Sequence, residues 1–182
     1  MEALDKSAIR KDVRRKRKQM KEEDFNSLSA KIYSYLFSPS FLLPECIGIY
    51  VSYKHEVDTI AIIQQLLNLH KRVFVPKIIS PRQMDFIEIF SLNDLKENAM
   101  GIKEPCCGQK VDPCIIEMMI TPLIAYNLKK DRIGQGGGFY DTLFAHYQGL
   151  KVGLAFSFQQ YIFEVEEHDQ GLDMIITDTG II

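Results

Sequence analysis

Short apolar runs at residues 47–51, 72–76, 116–122, 152–156 and 174–177 limit the folds open to this chain more than any other feature. Each has the length of a strand and is too short for a buried helix. Ile47-Gly-Ile-Tyr-Val51 and Arg72-Val-Phe-Val-Pro76 flank a helical segment at residues 59–70, and strand, helix, strand predicts a parallel crossover. The alternation in Met84-Asp-Phe-Ile-Glu-Ile-Phe90 predicts a further strand near a sheet edge. Residues 92–112, with Met100-Gly-Ile-Lys-Glu-Pro105 and Cys107-Gly108, carry turn chemistry and read as a mostly irregular surface loop. Two helices precede any strand. The first, residues 5–20, is free of Gly and Pro and carries Ile9, Val13 and Met20 on one narrow stripe. The second, residues 24–37, repeats Phe25, Leu28, Ile32, Tyr35 and Leu36 at helical spacing until Ser38-Pro39 stops it. A chain of 182 residues, 46% hydrophobic, can build one substantial core. The expected fold is α/β: one three-layer α/β/α domain over residues 1–182, with a mainly parallel sheet and two N-terminal helices.

Composition narrows the setting. Cys46, Cys106, Cys107 and Cys114 show no zinc-ligand spacing and read as reduced thiols. No apolar stretch approaches the roughly 20 residues of a spanning helix, and the N-terminus is charged, so a cytoplasmic protein is expected. The formal net charge of −2 conceals an asymmetry, because residues 6–21 hold nine Lys/Arg and one Asp while the rest is acidic. Lys6, Arg10, Arg14 and Arg17 share one face of that first helix and can meet the phosphates of a nucleotide or a nucleic acid. A solvated basic face is the alternative. A nucleic-acid module would interleave stacking aromatics with the cations, and this helix has none.

Chemistry concentrates in Arg132-Ile-Gly-Gln-Gly-Gly-Gly-Phe-Tyr-Asp141, between the strand at 116–122 and a helix expected over 139–147. Clustered glycines admit positive φ, and their N–H groups can converge on an anion. An Arg can fork two bonds onto phosphate oxygens, and an Asp can help to hold the magnesium that accompanies a nucleotide. The spacing fits neither a dinucleotide fingerprint nor a P-loop, and a plain structural turn stays open.

Ligands of open parallel sheets gather beyond the carboxyl ends of the strands. Glu56, in Ser52-Tyr-Lys-His-Glu-Val-Asp58, can accept hydrogen bonds from a polar ring there, or Glu56 and Asp58 can simply favour the next helix N-terminus. The acidic turn Glu166-Glu-His-Asp-Gln-Gly-Leu-Asp173 could bring Asp173 beside Asp141 around a hard cation, or be solvated surface. His55 and His168 have no recognisable nucleophile partner, and no Gly-x-Ser-x-Gly elbow is present.

Taken in order, these segments resemble the 5-formyltetrahydrofolate cyclo-ligase family over nearly the whole chain. The motifs are Lys6-x-x-Ile-Arg10, Tyr53-x-x-Glu56, Val75-Pro76, Met84-Asp85, Gly101-Ile-x-Glu-Pro105, Thr121-Pro122, the glycine loop with its Tyr140-Asp141 ending, and His168-Asp169 through Asp173 to Thr177. The resemblance implies use of ATP and magnesium to turn 5-formyltetrahydrofolate into 5,10-methenyltetrahydrofolate, with ADP and phosphate released. It assigns catalysis to Arg132 and Lys6, and ATP contacts to Lys6, Arg10, Arg132, Ile133, Gly134, Gln135, Gly136, Gly137, Gly138, Phe139 and Tyr140. It places folate on Glu56, Met84, Phe86 and Tyr140, although a Phe on a strand like Phe86 is more often core than ligand platform, and magnesium on Asp141 and Asp173. It further implies a monomer with no nucleic-acid or membrane partner. Some relatives have Arg at the position of Gln135 and Lys at that of Gly137, so this loop carries less positive charge than theirs. Phe139 likewise replaces a tyrosine of some relatives.

Overall fold

The computed structural model of the chain describes residues 5–98, 101–166 and 169–182; Met100, Glu167 and His168 lie outside them. The helices are α1 (Lys6–Gln19), α2 (Glu22–Leu36), α3 (Ile60–Asn68) and α4 (Phe139–Phe144). The strands are β1 (Cys46–Ile49), β2 (Arg72–Ser80), β3 (Gln83–Ile89), β4 (Leu95–Glu97), β5 (Lys103–Pro105), β6 (Lys110–Val111), β7 (Met118–Pro122), β8 (Ala125–Tyr126), β9 (Arg132–Ile133), β10 (Leu150–Ala155), β11 (Met174–Thr177) and β12 (Gly180–Ile181).

Eight strands form one sheet in the order β12-β11-β10-β7-β1-β2-β3-β6. The five from β11 to β2 run parallel, and β12, β3 and β6 are antiparallel additions at the two margins. The chain leaves β1 toward β2 and later returns through β7 on its other side. The strand order therefore reverses at β1, where a crevice opens beyond the carboxyl ends.

Alternation along the strands divides the core. Ile47, Ile49, Val73, Val75, Met118, Ile120, Val152 and Leu154 face α2 and α3, packing on Ile32, Leu36, Ile62, Ile63 and Leu66. Phe74, Met119 and Ile175 face the other way with Phe86, Phe144 and Tyr147, so this layer rests on the six-residue α4 and its flanking segments. Gly48 lets the layers close, because a Cβ there would lie 2.6 Å from Met119 Sδ. All four cysteines are free thiols.

Several boundaries depart from the sequence reading. Strand β2 continues past Pro76 to Ser80, because its outer half pairs with β3 in a hairpin turned by Arg82 at φ 61°. Residues 92–112 are less irregular than expected, with β4 and β5 forming a separate two-stranded ribbon. The helix expected over 139–147 ends at Phe144. Arg132 does not lie in a loop: with Ile133 it forms β9, paired antiparallel to β8.

That hairpin carries α1. Asp5 caps the helix, its carboxylate accepting from the amides of Ser7 at 2.9 Å and Ala8 at 3.2 Å. Ile9 and Val13 are fully buried against Ile124, Ala125, Ile133 and Phe163. The third place on this stripe belongs to Arg17, 6% exposed, which donates to the Leu123 carbonyl at 2.8 Å. Met20 packs instead against the cluster beneath α2. Ile9→Ala is expected to cost about 2–5 kcal/mol, the range for emptying a buried isoleucine site, measured by urea unfolding; a loss below about 1 kcal/mol would mean that this face does not hold the helix.

Candidate functional site

A cleft of about 1840 Å³ opens at the strand-order reversal, lined by α1, the segment after β1, the β2–β3 hairpin, β5, the glycine loop and the turn near residue 166. Pockets for one small molecule usually span about 300–1,000 Å³, so this one has room for two.

Helical periodicity sets one wall. Lys6, Arg10, Arg14 and Arg17 all line the cleft. Lys6 Nζ meets Glu166 Oε1 at 2.7 Å and Asp169 Oδ2 at 2.6 Å. Burial opposes charge on Lys6, but these two carboxylates outweigh it and raise its pKa. Arg10 Nε donates to the Gly134 carbonyl at 2.9 Å, and Arg14 Nη2 donates to Gln135 Oε1 at 3.1 Å. Arg17 Nη1 stands 3.9 Å from Glu56 Oε1.

The glycine loop forms the floor. Gly136 at φ 101° and Gly138 at φ 69° occupy backbone regions closed to most side chains, and Gly138 caps α4. Behind the loop Arg132 is 5% exposed; its Nη2 donates to Asp141 Oδ1 at 2.7 Å, and its guanidinium lies 5.8 Å from the Tyr140 ring centre and 5.5 Å from that of Phe144. Burial lowers the Arg132 pKa and Asp141 opposes that shift. Among the described residues, three buried side-chain polar atoms have no hydrogen-bond partner: Arg17 Nε, Arg132 Nε and Tyr140 Oη. All three belong to residues lining this cleft. Natural proteins rarely leave such atoms unpaired, so the backing of this cleft is unusually rich in unmet polar groups.

Across the cleft Glu56 is 9% exposed. Its Oε2 accepts from the Tyr53 amide at 3.1 Å and its Oε1 from Gln135 Nε2 at 3.1 Å. Burial pushes its pKa up, and Arg17 pulls it back. Burial also raises the Tyr50 and Tyr140 phenols, which stay protonated donors at neutral pH.

Met84 lines the cleft, but Phe86 does not: two residues further along β3 it is fully buried in the core beneath Met84. Asp173 is also elsewhere. It precedes β11 and accepts from the Lys151 amide at 2.7 Å at the start of β10, the amino edge of the parallel strands opposite the cleft. Ile133 buries its side chain under α1 and turns only its margin to the cleft. His55 lines the cleft, its ring edge-on to Phe25 with centroids 6.1 Å apart. Sequence reasoning quoted Asp169 within a motif but gave it no role, and it did not single out Arg82, which approaches the loop so closely that a Cβ on Gly138 would lie 3.5 Å from its Nε. Among the described residues no three His, Cys, Asp or Glu side chains converge as a metal site.

The sequence matches the family description "5-formyltetrahydrofolate cyclo-ligase family" over residues 2–178. The chain belongs to this family. It is 30% identical to the 5-formyltetrahydrofolate cyclo-ligase of Mycoplasma pneumoniae over 96% of this chain and 99% of that one. It is 35% identical to the Haemophilus influenzae protein of the same name over 63% of this chain and 65% of that one. The NMR structure of Aquifex aeolicus 5,10-methenyltetrahydrofolate synthetase superposes with a TM-score of 0.86 at 32% identity, covering 97% of this chain and 91% of that one. These are enzymes of a ligase family, and the large mostly parallel sheet is their fold.

Because burial favours the neutral form of Glu56, its charged form costs stability above its folded pKa. Glu56→Gln is therefore expected to raise the urea midpoint of the ligand-free protein near neutral pH. The gain should shrink as pH falls through the raised pKa and vanish below the ordinary value of 4.5. A gain that is independent of pH would contradict this.

Proposed function

We propose that this chain converts 5-formyltetrahydrofolate into 5,10-methenyltetrahydrofolate with ATP and magnesium, releasing ADP and phosphate. The observation that carries the reading is the meeting of α1 cations and the glycine loop in a cleft that also holds Glu56. One side offers cations and backbone N–H groups to phosphates. The other offers a carboxylate to the polar edge of a pterin.

An amide-like formyl oxygen is a poor leaving group. In the proposed sequence it attacks the γ-phosphorus of ATP, expelling ADP and leaving a phosphorylated imidate. The lone pair of N10 then closes on the imidate carbon, N10 gives up its proton, and phosphate leaves with the oxygen. No protein nucleophile is required, so catalysis rests on alignment and charge stabilisation. Arg132 and Lys6 would stabilise charge at the transferring phosphoryl group. Arg10, the Gly134 to Gly138 amides and the flank formed by Ile133, Phe139 and Tyr140 would hold the nucleotide. Met84 and Tyr140 would line the folate side.

Magnesium bound with a nucleotide usually takes one or two carboxylates, phosphate oxygens and waters. Asp141 fits that demand, since it lines the cleft beside Arg132 with its side chain partly exposed. Asp173 does not fit it. Bound magnesium would neutralise phosphate charge, and Asp141 would hold it directly or through water.

The test is the near-ultraviolet absorbance of the methenyl product after mixing protein, 5-formyltetrahydrofolate, ATP and magnesium. Folded protein giving no signal that depends on both ATP and magnesium would overturn the proposal. Arg132→Gln is expected to lower kcat by about 10²–10³-fold, with folate affinity nearly unchanged. Equal losses in both would assign Arg132 to the fold instead.

A further inference from the structure

Gln135 is neutral, and both ends of its amide are engaged across the cleft. Its Oε1 accepts from Arg14 Nη2 at 3.1 Å, which turns its Nε2 toward Glu56 Oε1, also at 3.1 Å. The amide bridges the cationic wall and the carboxylate opposite. With Arg14 on one side and Glu56 on the other, a cation at 135 would pair with Glu56 but lose the bond from Arg14, and an acid would pair with Arg14 but lose the bond to Glu56. An amide satisfies both neighbours without adding charge.

The backbone on either side is fixed by different means. Gly134 is held through its carbonyl by Arg10, and Gly136 follows at φ 101°. The conformation of the loop therefore determines where the Gln135 amide points. Glu56 Oε2 is occupied by the amide of its own turn, and Arg17 stands 3.9 Å from Oε1, beyond hydrogen-bond length. Gln135 is thus the side chain that orients the Glu56 oxygen facing the loop.

We propose that Gln135 is a positioning residue joining the nucleotide loop to the folate carboxylate, so that nucleotide and folate bind with positive coupling. This rests on the two-ligand reading above. Phosphates seated in the loop would hold it in this conformation and so keep the Gln135–Glu56 bond in place, which favours folate binding at Glu56. Reciprocity requires folate to tighten nucleotide binding by the same factor.

Calorimetric titration tests this, using 5-formyltetrahydrofolate with and without an ATP analogue carrying a β,γ-imido bridge. Wild type should bind folate about fivefold or more tightly with the analogue present. In Gln135→Met, which keeps length and loses both bonds, that factor should fall to about one. Equal coupling in both proteins, or none in wild type that binds both ligands, would overturn the proposal. Wild type that binds neither ligand would overturn the two-ligand reading itself.

Gln135→Glu supplies a readout that a merely structural role would not move. Two facing carboxylates share a proton as pH falls, which restores a donor between them. Its folate affinity, as a ratio to wild type at each pH, should recover as pH falls through the raised titration of the pair. Arg14, Arg17, Tyr50 and Tyr140 face this pair, and His55 lies next to Glu56 in the cleft; the ratio removes the pH dependence they share between the two proteins. A ratio constant with pH would contradict the relay.

Discussion

The whole site depends on docking a densely cationic helix onto a two-strand hairpin. Nine Lys/Arg within residues 6–21 repel one another, and nothing in propensity alone would keep that charge beside Arg132. Burial of Ile9 and Val13 supplies the adhesion, and Arg17 supplies the alignment. A buried guanidinium is costly unless its hydrogen bonds are met. The Leu123 carbonyl and the nearby Glu56 carboxylate offset that cost only when α1 lies at one rotation and height. That placement sends Arg10 and Arg14 over the glycine loop and Lys6 to the acidic turn at Glu166 and Asp169.

The sheet supplies the location. Parallel strands end together, and reversal of strand order at β1 separates the segments that follow β1 and β7. One brings Tyr50 and Glu56, while the other runs through the β8–β9 hairpin into the glycine loop. The two halves of the cleft therefore come from opposite sides of one topological feature. Gln135 and Arg17 are side-chain links between them.

Features set by local periodicity are legible in the sequence. The rhythm of Lys6, Arg10, Arg14 and Arg17 defines a shared face, and β1, α3 and β2 follow from apolar runs of the right length. Features set by position in three dimensions are not. Asp173 sits in an acidic turn with Asp169, yet the chain crosses from the cleft to the amino edge of β11 between them. Met84 and Phe86 share a face of β3 by alternation, but only depth in the sheet decides which reaches the cleft and which fills the core. Arg132 looks like the opening of a flexible loop because a two-residue strand leaves almost no pattern. The acidic partners of Lys6 lie 160 and 163 residues away, a pairing no local signal encodes.

The central claim is that α1 completes a phosphate site while Glu56 serves the other ligand. Its most direct measurement is the calorimetric affinity of the imido ATP analogue and of 5-formyltetrahydrofolate, each alone, for wild type and for the double variant Lys6→Gln/Arg10→Gln. Loss of two charge-assisted contacts should weaken the nucleotide by roughly 10²-fold or more, with folate changed by less than about threefold. Unchanged nucleotide affinity, or equal loss of both ligands, would contradict the account.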